Sequence, residues 1–249
     1  MIPWGVRRIY VWKMCRGVIF RLILQKKVME TIMRERILAP SILSADFTRL
    51  GEEIRSVEEA GAKYLHFDVM DGMFVPSISF GMPVLKSIRK ASDIVYDVHL
   101  MIVEPERYVE YFRNSGADLI TVHIETLKDP EAVLKQIRDL GAKVGLALNP
   151  ETDVEKVYPY LHLIDMALVM TVHPGFGGQK YIHECTAKIA ALAAKRDELE
   201  LDYDIEVDGG IGESTIDEAM DAGANILVAG SSVYGGDAYE NAKKLMAKF

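Results

Sequence analysis

The sequence predicts a single closed (β/α)8 barrel over residues 36–249, preceded by a basic extension at 1–35. Three observations carry that prediction. Eight short β-rich runs recur from Ile37 onward with helical stretches between them, and unbroken β–α alternation implies parallel strands joined by right-handed crossovers. The runs are mostly continuous apolar rather than alternating, as strands buried on both faces read. Eight units in about 210 residues fit a closed barrel, a fold that starts near 200 residues.

The first strand is Ile37–Pro40. The turn after it reads APSILSADF and has no glycine before Gly51. An open doubly wound sheet would usually place a Gly-rich fingerprint there. RLGEEIRSVEEAG is an amphipathic helical pattern that stops at Gly61-Ala62, ahead of the second strand, Tyr64–Val69. Glycine tolerates the left-handed conformation that closes a helix. The third strand is Ile94–Leu100, and Gly116-Ala117 leads into the fourth, Leu119–His123. EAVLKQIRDLG is a second helical pattern; Gly141-Ala142 ends it before the fifth strand, Lys143–Leu148. Met166–Val172 and Asp204–Val207 follow, and Gly223-Ala224 precedes the eighth strand, Ile226–Ala229. No linker interrupts the alternation, so it reads as one domain.

Composition narrows the function. The 249 residues are 49% hydrophobic and 27% charged, with a net charge of −8. That is an ordinary globular balance, with enough apolar surface to exclude disorder. A phosphate backbone recruits basic surfaces, so a general nucleic-acid binder is excluded. Cys15 and Cys185 show no disulfide framework and no metal spacing, which suits a reducing, cytoplasmic compartment. The charge is uneven: residues 1–36 hold nine Lys or Arg and two Glu, while the remainder is strongly acidic. The apolar stretch Gly17–Leu24 is broken by Arg21 and is far too short to span a membrane. This extension reads as a tag, an upstream start or a targeting segment, outside the fold.

In a barrel the C-terminal strand ends form one rim, where active sites sit. The second strand ends in HFDVMDG, and His66 and Asp68, two apart, project from one face. The third supplies His99 and the seventh Asp208. A lone buried His or Asp is ordinarily a hydrogen-bonded core residue. Two imidazoles and two carboxylates at strand ends suit a divalent metal instead, with Fe, Zn, Mn and Co all compatible.

Glycine forms a second cluster: Gly175, Gly177 and Gly178 in HPGFGGQ, Gly209 and Gly210 in DGGIG, and Gly230 with Ser231 in AGSSVY. Such loops let backbone N–H groups approach an anion, and barrels often bind phosphate after strands seven and eight. Plain turn chemistry is the competing explanation. Met70, Met101 and Met170 each lie at a strand end, as core filler or as an apolar cap over a substrate. His123 ends the fourth strand and is placed to support the site; His173 lies in the sixth loop, near phosphate or substrate; His162 and His183 read as surface residues.

The segments APSILSADF, HFDVMDGMFVPSISFG, VHLM, LVMTVHPGFGGQ, VDGGI and AGSSVY together resemble the ribulose-phosphate 3-epimerase family, from Ile37 to the C-terminus. The chain departs from the family's usual pattern at Met73 and Ser77, often His and Asn there. The resemblance implies a (β/α)8 barrel interconverting D-ribulose 5-phosphate and D-xylulose 5-phosphate. It implies one divalent metal per subunit held by His66, Asp68, His99 and Asp208. Asp68 and Asp208 would be the catalytic pair, working through a metal-stabilised 2,3-enediolate. Ser41, His99, Asp208 and the three Met residues would contact substrate. Gly175, Phe176, Gly177, Gly178, Gly209, Gly210, Gly230 and Ser231 would complete the substrate and phosphate contacts. A homo-oligomer, dimer or hexamer, is implied, with no membrane or nucleic-acid partner.

The chemistry needs such a pair. Epimerisation beside a ketone removes a weakly acidic proton from one face and returns one to the other, so two groups in opposite protonation states must flank the carbon. Rival expectations are an epimerase of a six-carbon ketose phosphate such as allulose 6-phosphate, and a non-catalytic phosphosugar-binding barrel. A barrel decarboxylase would usually add a Lys among the acidic strand ends, and HFDVMDG, DVHLM and EVDGG contain none.

Overall fold

The computed structural model describes residues 34–249. The expected basic extension lies outside them, save for Arg34 and Glu35. Residues 36–249 form one compact unit. Its strands are β1 (Ile37–Pro40), β2 (Tyr64–Met70), β3 (Val95–Met101), β4 (Leu119–His123), β5 (Lys143–Leu148), β6 (Met166–Met170), β7 (Asp204–Asp208) and β8 (Ile226–Ala229). All pairings are parallel, in the order β1-β8-β7-β6-β5-β4-β3-β2. A bridge between Ser41 and His66 brings the end of β1 to β2 and closes the ring. The (β/α)8 barrel expected from the alternation is the fold found.

Helices α1 (Leu50–Ala60), α2 (Met82–Ile88), α3 (Val109–Asn114) and α4 (Pro130–Asp139) follow the first four strands. Helices α5 (Thr186–Glu198) and α6 (Ile216–Asp221) follow β6 and β7, and α7 (Ser231–Tyr234) and α8 (Ala238–Met246) follow β8. The β5–β6 crossover has only short 3₁₀ turns, Val154–Lys156 and Tyr158–Leu163. Pro159 opens the second turn and has no N–H with which to continue a helix from the first, so the two stay separate. The four Gly-Ala stops hold glycines at φ 111°, 114°, 77° and 113° for Gly61, Gly116, Gly141 and Gly223. At the first, Gly61 N–H donates to Glu58 O at 2.9 Å and Ala62 N–H to Val57 O at 3.0 Å, so carbonyls left open at the helix end are satisfied.

Alternation divides the strands between two cores. Leu65, Phe67, Val98, Leu100, Val144, Leu146, Ile205 and Val207 face outward into the layer shared with the helices. There α1 inserts Leu50, Ile54 and Val57, and α4 inserts Val133, Leu134 and Ile137. Each such side chain contributes roughly 1.5–3 kcal/mol by leaving water. Facing inward, Ala39, Tyr64, Leu119, Met166, Ile226 and Val228 fill the barrel. On the first, second and fourth strands the same face turns polar two residues further along, at Ser41, His66 and Thr121, and the site begins.

Candidate active site

Register stacks the site in layers. On β2 and β3, His66 pairs with Asp97, Asp68 with His99 and Met70 with Met101, in order toward the C-terminal mouth. Asp208 ends β7 beside Met170 of β6 and Val228 of β8. The strands end one residue later than expected at Met70, Met101 and Asp208, while β6 ends two residues earlier, at Met170. Beyond it the chain turns, with Thr171 N–H donating to Asp208 O and its hydroxyl donating to Gly209 O at 2.6 Å.

Hydrogen bonds fix which ring nitrogens face inward. His66 Nδ1 is held by Asp97 Oδ2 at 2.6 Å, which leaves Nε2. His99 Nε2 lies 2.8 Å from His123 Nε2, which leaves Nδ1. His66 Nε2 is then 3.3 Å from His99 Nδ1, 3.3 Å from Asp68 Oδ1 and 4.0 Å from Asp208 Oδ2. His99 Nδ1 is 3.2 Å from Asp68 Oδ1 and 3.8 Å from Asp208 Oδ2. Donors about 2.1 Å from a tetrahedral cation stand about 3.4 Å apart. The set therefore fits a divalent ion: two nitrogens and two carboxylate oxygens converge at that spacing. Ser41, at the end of β1, donates its hydroxyl to the other Asp68 oxygen at 2.5 Å.

The electrostatics point the same way. Burial pushes the His66 pKa down, but Asp68 and Asp97 together outweigh it and hold it well above the usual histidine value. A place that charges a buried imidazole favours a cation. Burial also pushes Asp68 up, yet His66 and the hydrogen bonds from His66 and His99 prevail and hold it well below the carboxylate range. Asp208, 17% exposed, is pushed up to about 7 by its buried surroundings and by the charge of Asp68. Loading the site must displace the proton of His66, so that its Nε2 can ligate. Affinity for a divalent cation is therefore expected to fall by up to about tenfold per pH unit on the acid side of the raised His66 pKa. Calorimetric titration in buffers of different ionisation enthalpy counts the protons released; a pH-independent affinity would contradict this assignment.

The C-terminal mouth gathers the other expected residues into one pocket. Ser41, Asp68, Asp208 and the three Met residues line it, together with Gly175, Phe176, Gly177, Gly178, Gly209, Gly210, Gly230 and Ser231. His66 and His99 sit behind its floor, fully buried. Met70 and Met101 pack with Val75, and Met170 with Val172 and Leu168. Phe176 stands 60% exposed at the rim. Gln179 closes that loop by donating to His173 O and Phe176 O. His173 itself points away, its Nδ1 2.7 Å from a Glu151 carboxylate oxygen, and is not among the pocket's lining residues. His162 is exposed, and His183 pairs with Glu218 at the surface.

Four residues of the site escaped the sequence reading. Asp97 and Glu206 lie two residues before His99 and Asp208, so the same-face rule that paired His66 with Asp68 reaches them too. Glu206 is fully buried, and burial with the charge of Asp97 raises its pKa well above the carboxylate range. Ser44 packs against the Gly230 and Gly177 loops. Glu125 reaches His123 at 3.2 Å and is held down to about 2; burial opposes this, but His123, the Asn149 amide and Thr152 outweigh it. Its folded pKa lies below the ordinary 4.5, so its stabilisation is complete above pH 4.5 and is lost as pH falls toward 2. Glu125→Gln is expected to flatten the acid limb of the stability–pH curve in that window by on the order of 2–3 kcal/mol, measured by urea unfolding.

A donor cluster and glycine loops at the C-terminal mouth of a (β/α)8 barrel define a barrel-enzyme site. A profile of the ribulose-phosphate 3 epimerase family matches residues 37–234. The ribulose-phosphate 3-epimerase of Synechocystis is 50% identical over 208 residues, 83% of this chain and 90% of its own length. That of Bacillus subtilis is 48% identical over 198 residues, 79% of this chain and 91% of its own length. The chloroplastic ribulose-5-phosphate-3-epimerase of Arabidopsis thaliana is 45% identical over 210 residues, 84% of this chain and 75% of its own length. The chain belongs to the ribulose-phosphate 3-epimerase family, and with it to the isomerases. Among solved structures, the 3-keto-L-gulonate-6-phosphate decarboxylase of Vibrio cholerae superposes with a TM-score of 0.64 at 14% identity, covering 87% of this chain and 97% of that one. A 3-hexulose-6-phosphate synthase superposes at 0.59 with 20% identity, covering 86% and 99%. These two share the fold. No helix among the described residues is long and apolar enough to cross a membrane.

Proposed function

We propose that this chain interconverts D-ribulose 5-phosphate and D-xylulose 5-phosphate by proton transfer at C3 between Asp68 and Asp208. One observation carries the reading. The two carboxylates line one pocket from non-neighbouring strands, and their surroundings drive their proton affinities apart. Asp68, the more readily ionised of the two, takes the proton from one face; Asp208, whose surroundings favour its protonated form, returns one to the other. The roles exchange with the direction of reaction. His66, Asp68, His99 and Asp208 would hold one divalent ion, which supplies positive charge to the enediolate oxygens. Ser41 keeps Asp68 oriented by the hydroxyl it donates.

The Met70, Met101 and Met170 cap keeps water from the reacting carbons. Phosphate binds where the Gly177–Gly178 and Gly209–Gly210 loops meet Gly230 and Ser231. Its binding there would orient the sugar, so that remote binding energy supports the chemical step. The short extra helix α7, directly after β8, supports that placement. The absence of lysine from the residues lining this pocket disfavours the decarboxylase alternative. A cytoplasmic homo-oligomer, dimer or hexamer, completes the reading, with native mass spectrometry as its measure.

Steady-state kinetics on D-ribulose 5-phosphate and D-allulose 6-phosphate test the substrate. The five-carbon sugar is expected to have a kcat/KM at least about tenfold higher. The reverse order would assign the six-carbon reaction, and turnover of neither by folded, metal-loaded protein would leave the non-catalytic barrel.

A further inference from the structure

The nitrogen each histidine turns toward the donor cluster depends on what holds its other nitrogen. Glu125 follows β4 in a 3₁₀ turn, Ile124–Thr126. Its Oε1 accepts from the Asn149 amide at 2.8 Å and from the Thr152 hydroxyl, and its Oε2 lies 3.2 Å from His123 Nδ1. An ionised carboxylate only accepts, so His123 carries its proton on Nδ1. With its one proton there, the ring accepts at Nε2. His99 must then donate from its own Nε2 across the 2.8 Å contact, which leaves its lone pair on Nδ1, facing Asp68 Oδ1 at 3.2 Å. His66 is held the opposite way: Asp97 takes the Nδ1 proton and Nε2 is presented.

We infer that Glu125, acting through His123, is a positioning residue that fixes His99 with Nδ1 as its metal-ligating nitrogen; the inference rests on the metal site proposed above. The relay is rigid along its length. His123 is fully buried, stacked on His99 with centroids 5.0 Å apart and packed against Phe74 at 4.8 Å. At the outer end Lys188 of α5 donates to the carbonyls of Asn149, Pro150 and Thr152, which holds the segment that grips Glu125. A glutamine at 125 would keep the shape but lose one acceptor. Its amide NH2 would face either the His123 Nδ1 proton or the Asn149 amide, donor against donor. An aspartate keeps both acceptors on a shorter stem.

The test uses the full chain, labelled with 15N-histidine and loaded with Zn²⁺ alone. Multiple-bond ¹H–¹⁵N spectra distinguish a metal-bound ring nitrogen from a protonated one. In the unaltered protein His99 is expected to bind through Nδ1 with Nε2 protonated, and His66 the reverse. Glu125→Gln should erase or invert the His99 pattern and weaken Zn²⁺ binding by about 10–100-fold in chelator competition, while Glu125→Asp recovers most of it. If Glu125→Gln does not fold, His123→Leu, which leaves His99 Nε2 without an acceptor, carries the same expectation. Ligation of His99 through Nε2 in the unaltered protein would overturn the inference. So would Zn²⁺ affinity in Glu125→Gln within about twofold of normal with the His99 pattern unchanged. Failure of the unaltered protein to bind Zn²⁺ would overturn the metal site itself, and the relay's role with it, before any variant is compared.

Discussion

Replacing Asp208 by Asn is expected to lower kcat by at least about 10³-fold while the barrel stays folded. The side chain is the only part of Asp208 at risk. Its structural work is done by the main chain, whose carbonyl accepts from Thr171 N–H at 2.8 Å. Asparagine preserves that contact and the side-chain shape, and removes the capacity to take up and release a proton together with one negative charge at the proposed metal site. The two-base scheme adds a sharper expectation. From the epimer whose C3 proton faces Asp68, Asp208→Asn should still exchange that proton with heavy water, without inversion. From the other epimer it should do neither. Near-normal kcat, or equal exchange from both epimers, would contradict the assignment.

Gly210→Ala is expected to destabilise the fold by about 2–5 kcal/mol. Gly210 sits at φ +66°, and an added Cβ would come within 2.2 Å of Tyr181 N and 2.6 Å of Tyr181 Cα. These are backbone atoms, held in place by the neighbouring Ile182 N–H, which donates to Thr171 O at 2.8 Å. Neither can move aside as a flexible side chain would. Gly178→Ala is the control. Gly178 has a similar φ of +72° but nothing within 4 Å of the added atom, so only the left-handed strain remains, about 1–2 kcal/mol. Denaturant unfolding of the two variants measures the difference. Equal losses would mean that the Tyr181 contact is unimportant and that Gly210 serves conformation alone.

Strand positions and the inward-facing donors were legible because both obey the two-residue period. His66, Asp68, His99 and Asp208 fall on predicted strand ends, and the barrel's register brings their side chains together. Asp97 and Glu206 obey the same rule one layer deeper; attention to strand ends alone passed them over. The contacts of Glu125 were not legible. Asn149 and Thr152 lie 24 and 27 residues further along the chain, and only packing brings that loop beside the end of β4. Gly210 reads as a phosphate-loop glycine from sequence, yet its neighbours would require glycine there whatever the ligand. His173, expected near substrate, is drawn instead to Glu151, a contact that no local pattern announces.

Metal-dependent proton exchange at C3 tests the central claim most directly. Protein stripped with chelator, then reloaded with Fe, Zn, Mn or Co, is given D-ribulose 5-phosphate in heavy water. Xylulose 5-phosphate formation that returns only with metal, with solvent deuterium at C3, is the result the two-carboxylate account predicts. Full turnover by the stripped protein, or product without deuterium at C3, would contradict it.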